Sequence, residues 1–447
     1  MTSRTALTGW GRAPRSVPAT HAEATDLDVV RREVAAAGRR GITARGLGRS
    51  YGDASLNAGG AVLDMTALTG TFDLHEDGRL TVSAGHSLDA ILRRIVPHGW
   101  WLPVVPGTRQ VTVGGAIAAD VHGKNHHVDG TFGAHVESLR LVVAGGDLVE
   151  VSPTVDPDLF WATVGGMGLT GVIVEATLTL HRVETSYFLV DTDRTTDVHG
   201  LLDLMDAHDD DHRYSVAWFD TATTGDRLGR AVLTAGDSAP LASLDPARAQ
   251  DPLAFDAPRL GTVPFAPPFS FVNRWTARAF NELWYRKAPA RRRGEVQDIT
   301  AFFHPLDIVG DWNRVYGPGG FVQYQCVVPD RGSLVPIVEQ IAESGHVSSL
   351  NVLKRFGETN ASPLSFPTAG LTLAAYFPVR RGLDRLLTDL DSLVTAAGGR
   401  LYLAKDSRTD PATLAAGYPR LDEFRSVRAR VGATGVFTSD LARRLDL

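Results

Sequence analysis

The residues whose types and spacing could do chemistry lie in two glycine-rich stretches and around one lysine near the C-terminus. In Arg45-Gly46-Leu47-Gly48-Arg49-Ser50-Tyr51-Gly52-Asp53, three glycines permit backbone N–H groups to converge on an anion. Arg45 and Arg49 add charge-assisted donors or a longer-range positive field, and a pyrophosphate is the natural guest. The spacing is G-x-G-x-x-x-G, with no clean βαβ pattern and acidic ribose ligand after it, so it is not a dinucleotide fingerprint of the Rossmann type. No Gly-Lys-Ser/Thr marks a Walker A loop. Taken alone, the segment is a weak signal, and a plain turn is its commoner reading. The second stretch is more specific: Pro106-Gly107-Thr108-Arg109-Gln110-Val111-Thr112-Val113-Gly114-Gly115-Ala116-Ile117-Ala118-Ala119-Asp120-Val121-His122-Gly123-Lys124-Asn125-His126-His127. A turn leads to a glycine pair that opens a short helix of small residues, where a flat ligand can approach the backbone. Three histidines crowd the exit. His126 and His127 are adjacent rather than at i, i+4, and no nearby carboxylate completes a coordination sphere, which predicts no metal site. Lys405 ends a strand expected over residues 400–404 and stands beside Asp406; on residue type alone, a solvent-facing ion pair is the plainer reading.

Positioning these groups requires a mixed architecture. Short strand-like runs fall at 61–65, 80–84, 139–144, 148–151 and 171–180. The last alternates Val172, Val174 and Ala176 against Glu175, Thr177 and Thr179, as a half-buried strand does. A helix is expected from Leu88, with Ile91, Leu92 and Ile95 on one stripe, Ser87 as cap and Asp89 in the first turn. Further strands are expected at 214–220, 320–328 and 371–379. Helices are expected at 333–343 and over Leu383, Leu386, Leu387, Leu390, Leu393 and Val394, stopped by Gly398. Asp410-Pro411 opens a helical end. Gln323 and Gln325 share one strand face, as do Thr372, Ala374 and Tyr376. Between 239 and 273, seven of the 24 prolines predict a long irregular loop, the kind that serves as a mobile cover.

Composition sets the outer bounds. A chain of 447 residues exceeds the size at which one hydrophobic core stops growing, so two domains are expected. With 43% apolar and 21% charged residues it is an ordinary globular chain. Its net charge of −6 lacks the basic excess of a protein that holds long nucleic acid, so no nucleic-acid partner is expected. The single cysteine, Cys326, excludes an intrachain disulfide and a Cys-based metal cluster. The first twenty residues carry Arg4, Arg12 and Arg15 without an apolar stretch, which predicts no secretory signal. No run approaches a membrane-spanning length. A cytoplasmic or periplasmic protein, in peripheral contact with a membrane at most, is expected.

The two glycine stretches together resemble the PCMH-type FAD-binding domain of the vanillyl-alcohol-oxidase superfamily. The whole chain is similar to the decaprenylphosphoryl-β-D-ribose 2′-oxidase family, flavoenzymes of cell-wall arabinan precursor synthesis. Supporting stretches include Phe160-Trp-Ala-Thr-Val-Gly-Gly166, Ala217-Trp-Phe-Asp220, Gln323-Tyr-Gln325, Pro363-Leu-Ser-Phe-Pro367 and Leu403-Ala-Lys-Asp-Ser-Arg408. The resemblance implies an α+β, two-domain fold. Residues 1–185 form the FAD-binding domain of two α+β subdomains, 186–399 a substrate domain with an antiparallel sheet backed by helices, and 400–447 a segment closing the FAD domain. It places the FAD diphosphate on Ala44, Arg45, Gly46, Leu47, Gly48, Arg49, Ser50, Tyr51, Gly52, Asp53 and Ala54. The rest of the cofactor falls to Gly107, Thr112, Val113, Gly114, Gly115, Ala119, Asp120, Val121, His122, Ile173 and Tyr402. Family members that tether flavin covalently often use a histidine in the first loop; Arg49 stands there instead, which predicts non-covalent FAD.

By the same resemblance Lys405 is the active-site lysine, holding the reacting hydroxyl or acting as its base, and His122 lies against the flavin. Tyr51, Lys124, Lys354, Gln323 and Gln325 are expected around the sugar phosphate, with Trp218 and Phe356 at pocket positions. One strand departs from the pattern: Thr372, Ala374 and Tyr376 replace Asn, Cys and Asp. The implied reaction is oxidation of a polyprenylphosphoryl ribose to its 2′-keto form, followed by a separate NAD(P)H-dependent keto-reductase. The altered strand keeps open an oxidase of a soluble alditol, aldonolactone or natural-product sugar.

Overall fold

The computed structural model describes residues 6–447; Arg4 lies outside them. Three sheets carry the architecture. A parallel three-stranded sheet holds Thr20–Glu23, Ala61–Asp64 and Ile42–Arg45, in that order. An antiparallel five-stranded sheet runs Leu148–Val151, Val136–Val142, Val172–Thr179, Arg79–Ser83, Phe72–Leu74. An antiparallel eight-stranded sheet runs Arg291–Asp298, Tyr187–Thr195, Ala231–Ser238, Tyr214–Phe219, Asn351–Phe356, Gly370–Pro378, Phe321–Val328, Arg400–Leu401. The fold is mixed α+β, as expected.

Local chemistry explains the elements. The Leu88–Ile95 helix buries Leu88, Ile91, Leu92 and Ile95, and the Ser87 hydroxyl accepts from Ala90 N. Each such burial contributes about 1.5–3 kcal/mol. Val172–Thr179 alternates as anticipated, Ala176 and Leu178 inward and Glu175, Thr177 and Thr179 half-exposed. Leu383–Ala396 ends where Gly398 takes a left-handed conformation (φ 69°).

The eight-stranded sheet has two unlike faces. On one, Ala217, Phe219, Leu233, Tyr324, Cys326, Leu373 and Ala375 pack against the helices Val198–His208, Arg331–Glu343 and Leu383–Ala396. On the other, Val216, Trp218, Val232, Gln323, Gln325, Thr372, Ala374 and Tyr376 face a cavity. The strand period of two sorts them: Phe321–Val328 sends its glutamines one way and its only thiol the other.

The C-terminal segment ties the sheets together. Leu401 pairs with Cys326 in the large sheet, while the Tyr402 hydroxyl donates to Ala119 O at 2.7 Å. Beyond it, Arg444 holds Asp53 at 2.9 Å, and Asp440 Oδ1 accepts from Ala58 N at 2.8 Å. Residues 239–273 are largely irregular, with two short 3-10 turns and a two-residue strand, Gly261–Thr262, set parallel to Val309–Gly310. The Arg274–Lys287 helix that follows has no wide apolar stripe pointing inward: only Ala277 and Asn281 are buried, with Tyr285 half-buried in the same row. No helix among the described residues is long and apolar enough to cross a membrane.

Candidate active site

A cavity of about 1010 Å³ lies between the two glycine stretches and the open face of the eight-stranded sheet, at the upper end of the usual range for ligand sites. Its first end is a backbone cradle. Gly46 passes so close to the Thr112 side chain that a Cβ would stand 2.2 Å from Oγ1, and that oxygen already accepts from Gly115 N at 3.2 Å. Gly48 is left-handed (φ 63°), and its Cβ would strike the Arg45 guanidinium. Arg45 is committed to Thr8 O at 2.8 Å and to Ser55, so it braces the loop from behind. Arg49 lies over the Trp10 ring at 3.7 Å, and its Nε is buried without a partner.

The other end gathers nitrogen. Lys405 Nζ sits 4.2 Å from the centre of the Tyr51 ring and 5.8 Å from that of Tyr402. Lys354 Nζ is 3.2 Å from His122 Nδ1, and Gln325 Nε2 is 2.9 Å from His122 Nε2. Lys124 donates to Phe302 O and lies 4.0 Å over the Phe302 ring. The Gln323 carbonyl oxygen is buried and unpartnered. Asp307 is the only carboxylate on the wall among the described residues, and Thr108 Oγ1 and Arg109 N occupy it at 2.7 and 2.9 Å. The cations therefore face the cavity without an acidic partner, which is the electrostatics of an anion's seat.

Burial sets the protonation of this end. It lowers Lys405 to about 7, with Lys354's charge adding to the effect. Lys124 falls to about 7 for the same two reasons, and Lys354 to about 8 by burial. His122 is held well below its ordinary value by burial first, then by Lys354, His126 and Lys405. A neutral imidazole carries one proton between its nitrogens. Gln325 Nε2 lies against Nε2 and also reaches Thr372 Oγ1 at 3.3 Å. With a pKa of about 8, Lys354 keeps most of its charge at pH 7, and in that state it donates to Nδ1.

Most of the expected residues meet here. Ala44 through Tyr51, Ala54, Gly107, Thr112, Gly114, Gly115, Ala119, Val121, His122, Ile173 and Tyr402 line the cavity, as do Lys124, Trp218, Gln323, Gln325, Lys354, Thr372, Ala374 and Lys405. Five lie behind the wall instead. Gly52 packs on the Asp406 carbonyl, which a Cβ would approach to 1.7 Å. Asp53 is paired with Arg444. Val113 points into the core. Asp120, left-handed at φ 38°, accepts from Gly133 N, Asn360 and Ser365; it locks a turn rather than facing a ligand. Phe356 supports the imidazoles, 4.6 Å from His122 and 4.5 Å from His126. The plain reading of Lys405 as the ion partner of Asp406 does not hold either, because Asp406 accepts from Arg408 N and Thr409 N and pairs with Arg444. His126 and His127 turn to Gly357 N and His212 O respectively. Trp10, Phe302 and Asp307 line the cavity but were not among the expected ligands. Trp10 and Phe302 reach it from remote segments that no local motif marks.

The residues fit FAD: a glycine cradle without room for side chains, then a roomy wall, then polar atoms left unpartnered at both ends. Residues 18–152 match the FAD binding domain family. The chain is 48% identical over 449 residues to decaprenylphosphoryl-β-D-ribose oxidase of Mycolicibacterium smegmatis, covering 99% of this chain and 97% of that one. It is 40% identical to an uncharacterized protein in the mprA 5′ region of Streptomyces coelicolor, over 81% of this chain and all of the relative. Cytokinin dehydrogenase 6 of Oryza sativa subsp. japonica is 33% identical over 38% of this chain and 33% of its own length. Coverage from end to end at this identity, together with the cradle, settles the family: the chain is an FAD-dependent oxidoreductase and belongs to the decaprenylphosphoryl-β-D-ribose oxidase family.

Proposed function

We propose that this chain oxidises the 2′-hydroxyl of a polyprenylphosphoryl ribose, of the decaprenylphosphoryl-β-D-ribose type, to the 2′-keto sugar. The observation that carries the reading is the convergence of Lys405, Lys354, Lys124 and His122 on one end of a cavity whose other end is a glycine cradle. Residues 44–51 and Ala54, with Gly107, Thr112, Gly114, Gly115, Ala119, Val121, Ile173 and Tyr402, would hold FAD. Bound there, FAD supplies a hydride acceptor for the carbinol carbon. The protein supplies the rest. Lys405, with its pKa near 7, takes the hydroxyl proton at Nζ at neutral pH. Lys354 or Lys124 pairs with the phosphate, and that anion restores the charge that burial suppresses. Neutral His122 orients Lys354 and Gln325. Trp218, Tyr51 and Tyr376 exclude water around them.

The reading assigns residues 1–185 and 400–447 to the cofactor and 186–399 to the substrate, supported by the cavity's position between the glycine stretches and the large sheet. It calls for an NAD(P)H-dependent keto-reductase to complete an epimerisation, and a lipid substrate calls for peripheral membrane contact. A second reading, oxidation of a soluble alditol, aldonolactone or natural-product sugar, is favoured by one strand: Thr372, Ala374 and Tyr376 all line the cavity, and the Tyr376 hydroxyl meets that of Tyr51 at 3.4 Å. Anaerobic stopped-flow mixing separates the two. A short-chain prenylphosphoryl ribose is expected to bleach the flavin within the mixing experiment while alditols leave it oxidised; the opposite order overturns the assignment.

A further inference from the structure

The Arg274–Lys287 helix is amphipathic the wrong way round. Its inner contacts are polar: Asn281 donates to Asp220 at 2.6 Å, Glu282 pairs with Arg230 at 2.7 Å, and Arg278 donates to Ala222 O at 3.2 Å. Its apolar side chains face outward. Trp275 is 77% exposed and Leu283 69%, beside Phe280 and Trp284, whose rings stack at 6.0 Å. The loop before it adds Leu260, Phe265, Phe269 and Phe271, also exposed. Every exposed Phe or Trp among the described residues lies in this one stretch. A patch of that kind on a soluble surface marks a partner or a membrane.

Charge decides between them. Residues 256–293 hold eight Lys and Arg against Asp256 and Glu282, a net +6 in a chain whose total is −6, and although Arg292 and Arg293 pair with Glu295, Asp191 and Asp193 outside the segment, the remainder is still cationic. Arg259, Arg274 and Arg291 are exposed and enter none of the ion pairs found among the described residues. Two copies docked through this face would set one cationic surface against another. An anionic bilayer complements it, with aromatic side chains at the headgroup boundary and cations above it. The patch is also continuous with the cavity: Phe280, Trp284, Lys287 and Leu306 belong both to its wall and to the exterior.

We infer that the 274–287 helix and the loop leading into it form a docking surface for an anionic lipid bilayer, and that the mouth of the cavity opens onto that bilayer. The docking stands on the surface alone; delivery of a prenyl chain through the mouth rests on the substrate reading above. Co-sedimentation of the holoenzyme with vesicles tests it. Wild type is expected to bind 1:1 phosphatidylglycerol:phosphatidylcholine vesicles at low salt, to release them at high salt and to ignore phosphatidylcholine alone. Trp275→Ser with Leu283→Ser weakens binding by about tenfold or more, with flavin content unchanged. Arg259→Gln, Arg274→Gln and Arg291→Gln each cost about fivefold. Val155→Ser, exposed elsewhere, changes nothing. Wild-type protein that ignores anionic vesicles, a double variant that binds as wild type does, or a dimer that the double variant dissolves would each overturn the proposal. Vesicle binding without flavin bleaching by prenylphosphoryl ribose would sink the substrate reading and leave the surface standing.

Discussion

Replacing Lys354 by methionine probes the electrostatics of the site most directly. Lys354, buried, falls from 10.5 to about 8 through burial. Lys405 falls from 10.5 to about 7 through burial and the Lys354 charge together, and Lys124 does the same. Burial is the larger cause of the Lys405 fall and the Lys354 charge the smaller, so only part of that fall belongs to the neighbour. The order is self-consistent: Lys405 loses its proton first, so Lys354 titrates beside an amine already neutral. One unit corresponds to about 1.4 kcal/mol. A base must be unprotonated, so kcat/KM in wild type rises with pH through about 7 and falls again above about 8 as Lys354, the phosphate partner, loses its proton. In Lys354→Met the same acid limb is expected at higher pH, by up to about one unit, so the rate at pH 7 falls further than the rate at pH 9. The profile of kcat/KM reports the free holoenzyme, and the higher KM expected from losing a phosphate partner lowers the whole curve without moving its limb. An acid limb at the same pH in both proteins would falsify the coupling. A Lys405→Met enzyme with a wild-type profile would remove the lysine from the proton's path.

Three other outcomes follow from the same geometry. Gly46→Ala drives a Cβ into Thr112 Oγ1, so the purified protein is expected to lose most of its yellow colour while keeping its far-ultraviolet circular dichroism. Because Arg49 offers no nucleophile for a tether, acid precipitation should leave the flavin absorbance in the supernatant; a yellow pellet contradicts this. Asp220→Ala strips one of two carboxylate partners from buried Arg230, held at 2.9 Å with Glu282 remaining, and removes the acceptor of Asn281. A loss of about 1–3 kcal/mol is expected, read as a lower denaturant midpoint, and an unchanged midpoint would show that the clamp under the 274–287 helix carries no load.

What could be read from the residues was whatever has a local period or a local stop. The Leu88–Ile95 stripe with its serine cap, the Gly398 terminator and the shared faces of Gln323 with Gln325 and of Thr372 with Ala374 all appear as expected, because 3.6 and 2.0 are fixed by backbone geometry. The 274–287 helix was hidden for the same reason inverted: its apolar residues answer to something outside the fold. Within the glycine stretches, contiguous residues were expected to share one ligand, yet a wall has a back. Gly52, Asp53, Val113 and Asp120 occupy it, where they hold the C-terminal segment and a tight turn. Lys405 is the reverse case. Its neighbour Asp406 suggests a surface pair, and only the long-range partner Arg444 frees the lysine to face inward.

Cys326 gives the molecule a built-in reporter. The thiol is completely shielded, on a strand hydrogen-bonded on both sides, and burial raises it to about 12. Alkylating reagents need a thiolate they can touch, so modification must wait until the large sheet opens. With no second sulfhydryl anywhere in the chain, the labelling rate of the unaltered enzyme is a single-site clock for that opening, readable by mass, with and without whatever fills the glycine cradle.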